Sequence, residues 1–127
     1  MRSCPLRCLD AGPKLCVWVR IDETSLMNLS ELTARLHAIR DANDWQRFHS
    51  PKNLAMAASV EMAELVEIFQ WLGEDQSRQL PADQLAHAGQ EIGDVVLYLL
   101  LLCSELGLDL DTVVRDKLAD SERRFAR

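Results

Sequence analysis

With 127 residues, of which 48% are hydrophobic, the chain can build one hydrophobic core but not two, so we predict a single core domain. Its formal net charge of -6 and its pI near 5.0 exclude the dominant basic face that binding to nucleic acid or to an anionic membrane surface requires. We therefore expect a small-molecule partner, no nucleic acid and no membrane.

The first 26 residues differ from the rest, because they contain three of the four cysteines, two of the four prolines and no sustained periodicity. We interpret residues 1–26 as an N-terminal extension of unknown role and residues 27–127 as the functional domain. The spacing of Cys4, Cys8 and Cys16 matches no common zinc motif and no histidine accompanies them, so free thiols in a reducing cytosol are expected. No small-residue cleavage site follows the short apolar run from Leu15 to Val19, so we expect no secretory signal and a cytoplasmic location.

The remaining residues show the periodicity of helices rather than that of strands. Four helices are predicted, from Ser30 to about Asn43, from Pro51 to about Leu72, from about Asp83 to Leu106 and from Leu110 to about Phe125. Asn28 or Ser30 can cap the first helix, and Gly73 and Gly107 are placed to end the second and the third. We predict an all-α core that resembles a four-helix bundle.

The third predicted helix is apolar almost all round from Val95 onward. Its longest unbroken apolar run, Val95 to Cys103, has nine residues, whereas a membrane span needs about 20. We therefore place this helix at the centre of a bundle or at a subunit interface. From residue 27 onward the chain has ten basic and seventeen acidic residues, and exposed apolar helix faces on this domain would favour a homo-oligomer.

Two acidic pairs, Glu61-x-x-Glu64 and Glu91-x-x-Asp94, each place two carboxylates on one helix face, because residues three apart are neighbours. Glu61 falls within an otherwise apolar stripe of the second helix. The stripe consists of Leu54, Ala58, Leu65, Ile68 and Leu72. An unpaired buried carboxylate is costly, so a bound metal ion would compensate the charge, whereas an acidic pair on a solvated face needs no such explanation.

Carboxylate oxygens are hard ligands that suit Mg²⁺ or Mn²⁺. A ferritin-like di-iron site needs Glu-x-x-His motifs and is disfavoured, since the residues three before the histidines are Ala34, Gln46 and Gln84. The sequence contains no phosphate-binding glycine loop and no recognisable nucleophilic Ser or Cys motif. If the chain is an enzyme, water is the predicted nucleophile, and two or more divalent ions would separate the carboxylates from an anionic phosphate substrate.

Several ordered motifs carry a resemblance to one family. They are Trp45-Gln46-Arg47-Phe48-His49-Ser50-Pro51-Lys52-Asn53-Leu54, Glu61-Met62-Ala63-Glu64, Phe69-Gln70-Trp71 and Glu91-Ile92-Gly93-Asp94-Val95. In these motifs, and over about residues 27 to 125, the chain resembles the all-α MazG-like nucleotide pyrophosphohydrolases, and among them the dCTP pyrophosphatase branch. The first 26 residues lie outside the resemblance.

The resemblance implies hydrolysis of a (deoxy)nucleoside triphosphate at the α-phosphorus, which gives the monophosphate and pyrophosphate. It also implies Mg²⁺ held by four carboxylates: Glu61, Glu64, Glu91 and Asp94. Glu61 and Glu64 are the candidates for removing a proton from the attacking water, and the sequence does not decide between them. A homodimer or homotetramer with sites completed across subunits is implied as well.

The same resemblance implies a set of substrate-binding residues. By motif position they are His37, Trp45, His49, Lys52, Trp71, Tyr98, Lys117, Ser121 and Arg124. The two tryptophans would stack on the base, Tyr98 would pack against the sugar, and the three cations would contact phosphate. His37 stands one residue closer to Trp45 than in the family pattern. Ser121 and Phe125 stand where the branch often has Asn and Tyr, which puts the substrate preference and the turnover in question.

Two alternatives stay open at the level of sequence. A dCTP-like pyrimidine nucleotide is the favoured substrate, but dUTP, dATP and modified pyrimidine triphosphates are alternatives, because stacking tolerates any base. The alternative of a different class is a non-catalytic nucleotide-binding or regulatory helical oligomer. The presence of all four carboxylates favours the enzyme, since a protein that only binds could lose one of them.

Overall fold

The computed structural model describes residues 6–10, 16–20 and 26–126. In chain order the elements are strands β1 (Leu6–Asp10) and β2 (Cys16–Arg20) and helices α1 (Leu29–Ala42), α2 (Pro51–Phe69), α3 (Glu74–Ser77), α4 (Ala82–Leu106) and α5 (Leu110–Phe125), with a short 3₁₀ helix at Gln46–Phe48. Over residues 26–126 every regular element is helical, so the predicted all-α core is confirmed.

β1 and β2 lie within the N-terminal extension and pair antiparallel, with Cys8 opposite Trp18. No regular structure is predicted here from the sequence, because five-residue strands are too short to show a period. The run Val17-Trp18-Val19 does contain the β-branched and aromatic residues that favour strands. Cys4 lies outside the described residues, and both the free thiols and the domain boundary stay predictions.

Side-chain caps mark where α1 and α2 begin. Asn28 Oδ1 accepts a hydrogen bond from the backbone N–H of Glu31 (3.0 Å), so α1 starts one residue earlier than predicted. The hydroxyl of Ser50 accepts one from the N–H of Asn53 (3.2 Å) at the start of α2. Such caps satisfy N–H groups that have no partner in a first helical turn. At the end of α4, Gly107 takes the left-handed φ of 68° that glycine adopts without steric cost.

α2 ends three residues before the predicted position, at Phe69 rather than at Leu72. The N–H of Gln70 still bonds to the carbonyl of Val66 (2.9 Å). The N–H of Leu72, however, bonds to the carbonyl of Phe69 (2.9 Å), so the final turn is tighter than an α-helix. Gly73 then adopts an extended conformation and leads into α3.

The core forms where α2 packs along α4, with α1 against α4. Its buried apolar side chains are Leu54, Ala58, Ala88, Leu100 and Leu101. The predicted stripe of α2 is therefore the side that packs inward. Since Glu61 belongs to this stripe, the fold turns its carboxylate toward α4.

α4 exposes a second apolar stripe to solvent in the single chain. Leu85, Ile92, Leu99 and Leu106, spaced seven residues apart, are 61%, 52%, 37% and 52% exposed. A stripe at this spacing is typical of a helix that contacts another helix. By length and composition alone, α4 is also the one described helix that could cross a membrane, a property that core helices of soluble proteins share.

α5 packs little against the other described helices. Its apolar residues Val113, Val114 and Leu118 are exposed. Together with the α4 stripe, they form a large exposed apolar surface rather than single scattered apolar residues. Such a surface is typical of a subunit interface.

Candidate active site

Carboxylates from two helices meet where α2 packs on α4. One oxygen from each of Glu61, Glu64 and Glu91 lies within 4.8 Å of the others. Glu61 and Glu64 are on α2 and Glu91 is on α4, so helix packing joins the two acidic pairs predicted from the sequence. Asp94, one turn beyond Glu91, lines the same cavity as Glu61. We refer to these four residues as the carboxylate cluster.

Glu91 is the buried member of the carboxylate cluster, with 7% of its surface exposed. Its Oε1 lies 2.9 Å from Nε2 of His87. Its Oε2 is buried and has no hydrogen-bond partner among the described residues. Because buried polar atoms are almost always paired, this oxygen is suited to contact a bound ligand.

Glu61 is half-buried, and burial is the main reason why its pKa is raised above the ordinary 4.5. The nearby carboxylates of Glu64, Asp94 and Glu91 raise this pKa further. A divalent cation among these oxygens would favour their ionised forms. The all-oxygen donor set fits Mg²⁺ or Mn²⁺ rather than a soft metal.

A cavity of about 260 Å³ adjoins the carboxylate cluster. Its lining consists of Leu36, Ile39, Arg40, Trp45, His49, Glu61, Asp94, Leu97, Tyr98 and Leu101. Three of the predicted substrate-binding residues, Trp45, His49 and Tyr98, thus lie beside Glu61 and Asp94. The buried Nδ1 of His49 has no hydrogen-bond partner in the part of the chain that the structure describes. With a divalent cation held by the carboxylates, an aromatic wall beside them would suit a ligand with a flat ring and an anionic end.

His37 lines a different cavity, of about 480 Å³, between α1, the end of α4 and the start of α5. Its Nε2 lies 3.0 Å from the hydroxyl of Ser104. Trp71 is 87% exposed just after α2, and Lys52 is exposed in the first turn of α2. In the single chain these three predicted residues do not line the cavity beside the cluster, and their roles in substrate binding stay predictions.

The predicted substrate-binding residues of α5 also lie away from that cavity. Lys117 and Arg124 form ion pairs with Asp120 at 3.4 and 3.9 Å. The hydroxyl of Ser121 donates a hydrogen bond to the carbonyl of Lys117 (3.0 Å). Because α5 packs little against the other described helices, the single chain does not test whether these side chains reach a substrate.

Arg40 is not among the residues predicted from the sequence, yet it is only 9% exposed and lines the cavity. Its Nε donates to Asp41 Oδ1 (2.8 Å) and its Nη1 to Glu105 Oε1 (3.4 Å). The first of these hydrogen bonds lowers the pKa of Asp41. A signal was available, because Arg40 stands four residues after Leu36 and so places a charge on an apolar helix side, as Glu61 does in α2.

Replacing Arg40 by methionine should lower the free energy of unfolding by about 1–2 kcal/mol, because two carboxylates lose a donor while an apolar chain keeps much of the packing. Urea unfolding followed by circular dichroism measures the change. The control is Arg35→Met, since Arg35 is an exposed arginine on the same helix. Equal effects at the two positions would show that the ion pairs of Arg40 do not stabilise the fold.

Comparisons with known proteins find a matching family, similar sequences and a similar solved structure. Residues 56–126, which include the carboxylate cluster, match the sequence profile of the MazG-like family. A pyrophosphatase structure from Archaeoglobus fulgidus is 36% identical with a TM-score of 0.73, and the match covers 78% of this chain and 93% of that one. The dCTP pyrophosphatase 1 proteins of Homo sapiens and Mus musculus are 34% and 32% identical over 105 residues. These matches cover 81% of this chain, which spans 60% of the length of either relative.

Proposed function

The chain belongs to the MazG-like family, and on that premise we propose that it hydrolyses a (deoxy)nucleoside triphosphate to the nucleoside monophosphate and pyrophosphate. The proposed cofactor is Mg²⁺, which Mn²⁺ could replace, and the favoured substrate is a dCTP-like pyrimidine deoxynucleotide. The protein would thereby remove excess or non-canonical nucleotides from the pool. Glu61 carries this proposal, because its carboxylate belongs both to the cluster and to the wall of the adjoining cavity.

The cavity would receive the nucleoside part of the substrate. Its volume of about 260 Å³ is slightly below the usual range of ligand pockets, about 300–1,000 Å³, so it suits a base and a sugar while the phosphates extend toward the cluster. Trp45 would stack on the base and Tyr98 would pack against the sugar. The unpaired Nδ1 of His49 would bond to a polar atom of the ligand.

Glu61, Glu64, Glu91 and Asp94 would hold the cation. When bound, Mg²⁺ would neutralise the phosphate oxygens and the charge that develops at the α-phosphorus. The unpartnered Oε2 of Glu91 and the raised pKa of Glu61 support this assignment, because a cation would satisfy the first and ionise the second.

For the proton of the attacking water we assign Glu61 rather than Glu64. Glu61 lines the cavity that adjoins the cluster, whereas Glu64 is exposed and is not part of the cavity wall. A carboxylate that lies between the cation and the substrate can accept a proton from water, provided that the surrounding residues keep the carboxylate oriented. Glu64 would then contribute mainly to cation binding.

The protein would act as a homodimer or homotetramer in the cytoplasm. The exposed apolar stripe of α4 and the apolar residues of α5 support association. His37, Trp71 and the cations Lys52, Lys117 and Arg124 would then approach the substrate of a neighbouring subunit.

Incubation of the full chain with deoxy- and ribonucleoside triphosphates in Mg²⁺ should release monophosphate and pyrophosphate in equal amounts, with pyrimidine deoxynucleotides turned over fastest. Ion-exchange chromatography separates these products, and EDTA should abolish their formation. Release of a nucleoside diphosphate and orthophosphate would contradict cleavage at the α-phosphorus. Nucleotide binding without turnover would instead establish the alternative, a non-catalytic nucleotide-binding oligomer.

A further inference from the structure

We propose that His87 is a positioning residue for Glu91. His87 holds one carboxylate oxygen of Glu91 so that the other oxygen faces a divalent cation. This inference rests on the proposed function, because it requires that the carboxylate cluster binds such a cation. His87 lies outside the sequence motifs described above.

The contact joins two residues one helical turn apart on α4. Nε2 of His87 lies 2.9 Å from Oε1 of Glu91, which is the distance of a hydrogen bond. Among the described residues, His87 is the one basic side chain that forms an ion pair or hydrogen bond with a member of the carboxylate cluster. The two oxygens of Glu91 are therefore not equivalent, since Oε2 is buried and unpartnered.

Fixing Oε1 matters because the terminal torsion of a glutamate has broad minima and does not hold the carboxylate plane by itself. The contact between His87 Nε2 and Oε1 would hold this plane and leave the lone pairs of Oε2 for the cation. Groups that hold a metal ligand in this way commonly change metal affinity by about 10–100-fold when removed.

The contact does not need a charged imidazole. Nε2 carries a hydrogen both in the imidazolium ion and in one of the two neutral tautomers, so in either form it can donate to the carboxylate. Because the His87 side chain is 55% exposed, it can be replaced without opening a hole in the core. Its effect on cation binding can thus be separated from an effect on folding.

The test measures Mn²⁺ affinity in the absence of nucleotide, by electron paramagnetic resonance of the free ion. His87→Ala should weaken binding by about tenfold or more. His87→Gln should recover much of the affinity, because the glutamine amide can donate from a similar position. Gln90→Ala, an exposed neighbour on the same helix, should bind as the wild type does. Helicity by circular dichroism should be the same in all variants.

Equal Mn²⁺ affinity in the wild type and His87→Ala would overturn the proposal while leaving the metal site intact. Weak binding in His87→Gln as well as in His87→Ala would also overturn it, because a donor at that position would then be insufficient. Absence of Mn²⁺ binding in the wild type, with no difference from Glu91→Gln, would instead refute the metal site and with it the proposed function.

Discussion

Replacing Glu61 by glutamine should reduce kcat for triphosphate hydrolysis by about a thousandfold or more. The substitution removes a cation ligand and the group to which we assign the proton of the attacking water. The side chain keeps its size, so nucleotide binding by the aromatic side of the cavity should persist. Initial rates at saturating Mg²⁺ and nucleotide, measured as pyrophosphate release, give the effect.

The matched control is Glu67→Gln, since Glu67 is an exposed glutamate on the same helix outside the carboxylate cluster. Its turnover should stay close to that of the wild type. Similar losses in the two variants would show that activity depends on the overall charge of α2 rather than on Glu61.

In EDTA the Glu61→Gln substitution should stabilise the protein. The pKa of Glu61 is raised in the folded state, so the folded chain holds this proton more tightly than the unfolded chain does. The corresponding stability is fully present below about pH 4.5 and is lost as the pH rises through the raised pKa. The melting temperature of the metal-free wild type should therefore fall relative to Glu61→Gln between about pH 4.5 and neutrality. Mg²⁺ should stabilise the wild type more than the variant.

The helices and the position of Glu61 could be predicted from the sequence. Caps and terminal glycines are local signals, and the sequence predicts the roles of Asn28 and Gly107 that the structure has. Periodicity also predicts the inward stripe of α2 and places Glu61 on it. Both conclusions need only the spacing of residues along a single helix.

The spacing of residues along a single helix did not predict which side of α4 packs inward. The stripe that begins with Leu85 and Ile92 is more apolar than the side with Glu91, yet the Glu91 side meets α2 and the stripe stays exposed in the single chain. The contact of Arg40 with Glu105 was missed for a related reason, because it depends on tertiary packing. The contact of His87 with Glu91 was missed because residues four apart on a helix meet only in suitable side-chain rotamers. Periodicity describes a single helix and contains no information about its neighbour.

Placing arginine at both Leu85 and Leu99 should dissociate the proposed homo-oligomer into single chains and abolish most of its activity. In a symmetric interface each charge is buried twice, so the dissociation constant should rise by at least about a thousandfold. Both leucines lie on the exposed stripe of α4, outside the carboxylate cluster and the adjoining cavity. Light scattering coupled to gel filtration measures the mass, and pyrophosphate release measures turnover on the same fractions.

Gln84→Arg, which adds a charge at an exposed polar position of the same helix, should change neither the mass nor the turnover. A wild type that runs as a single chain with full turnover would contradict both the interface and the need for a second subunit at the site.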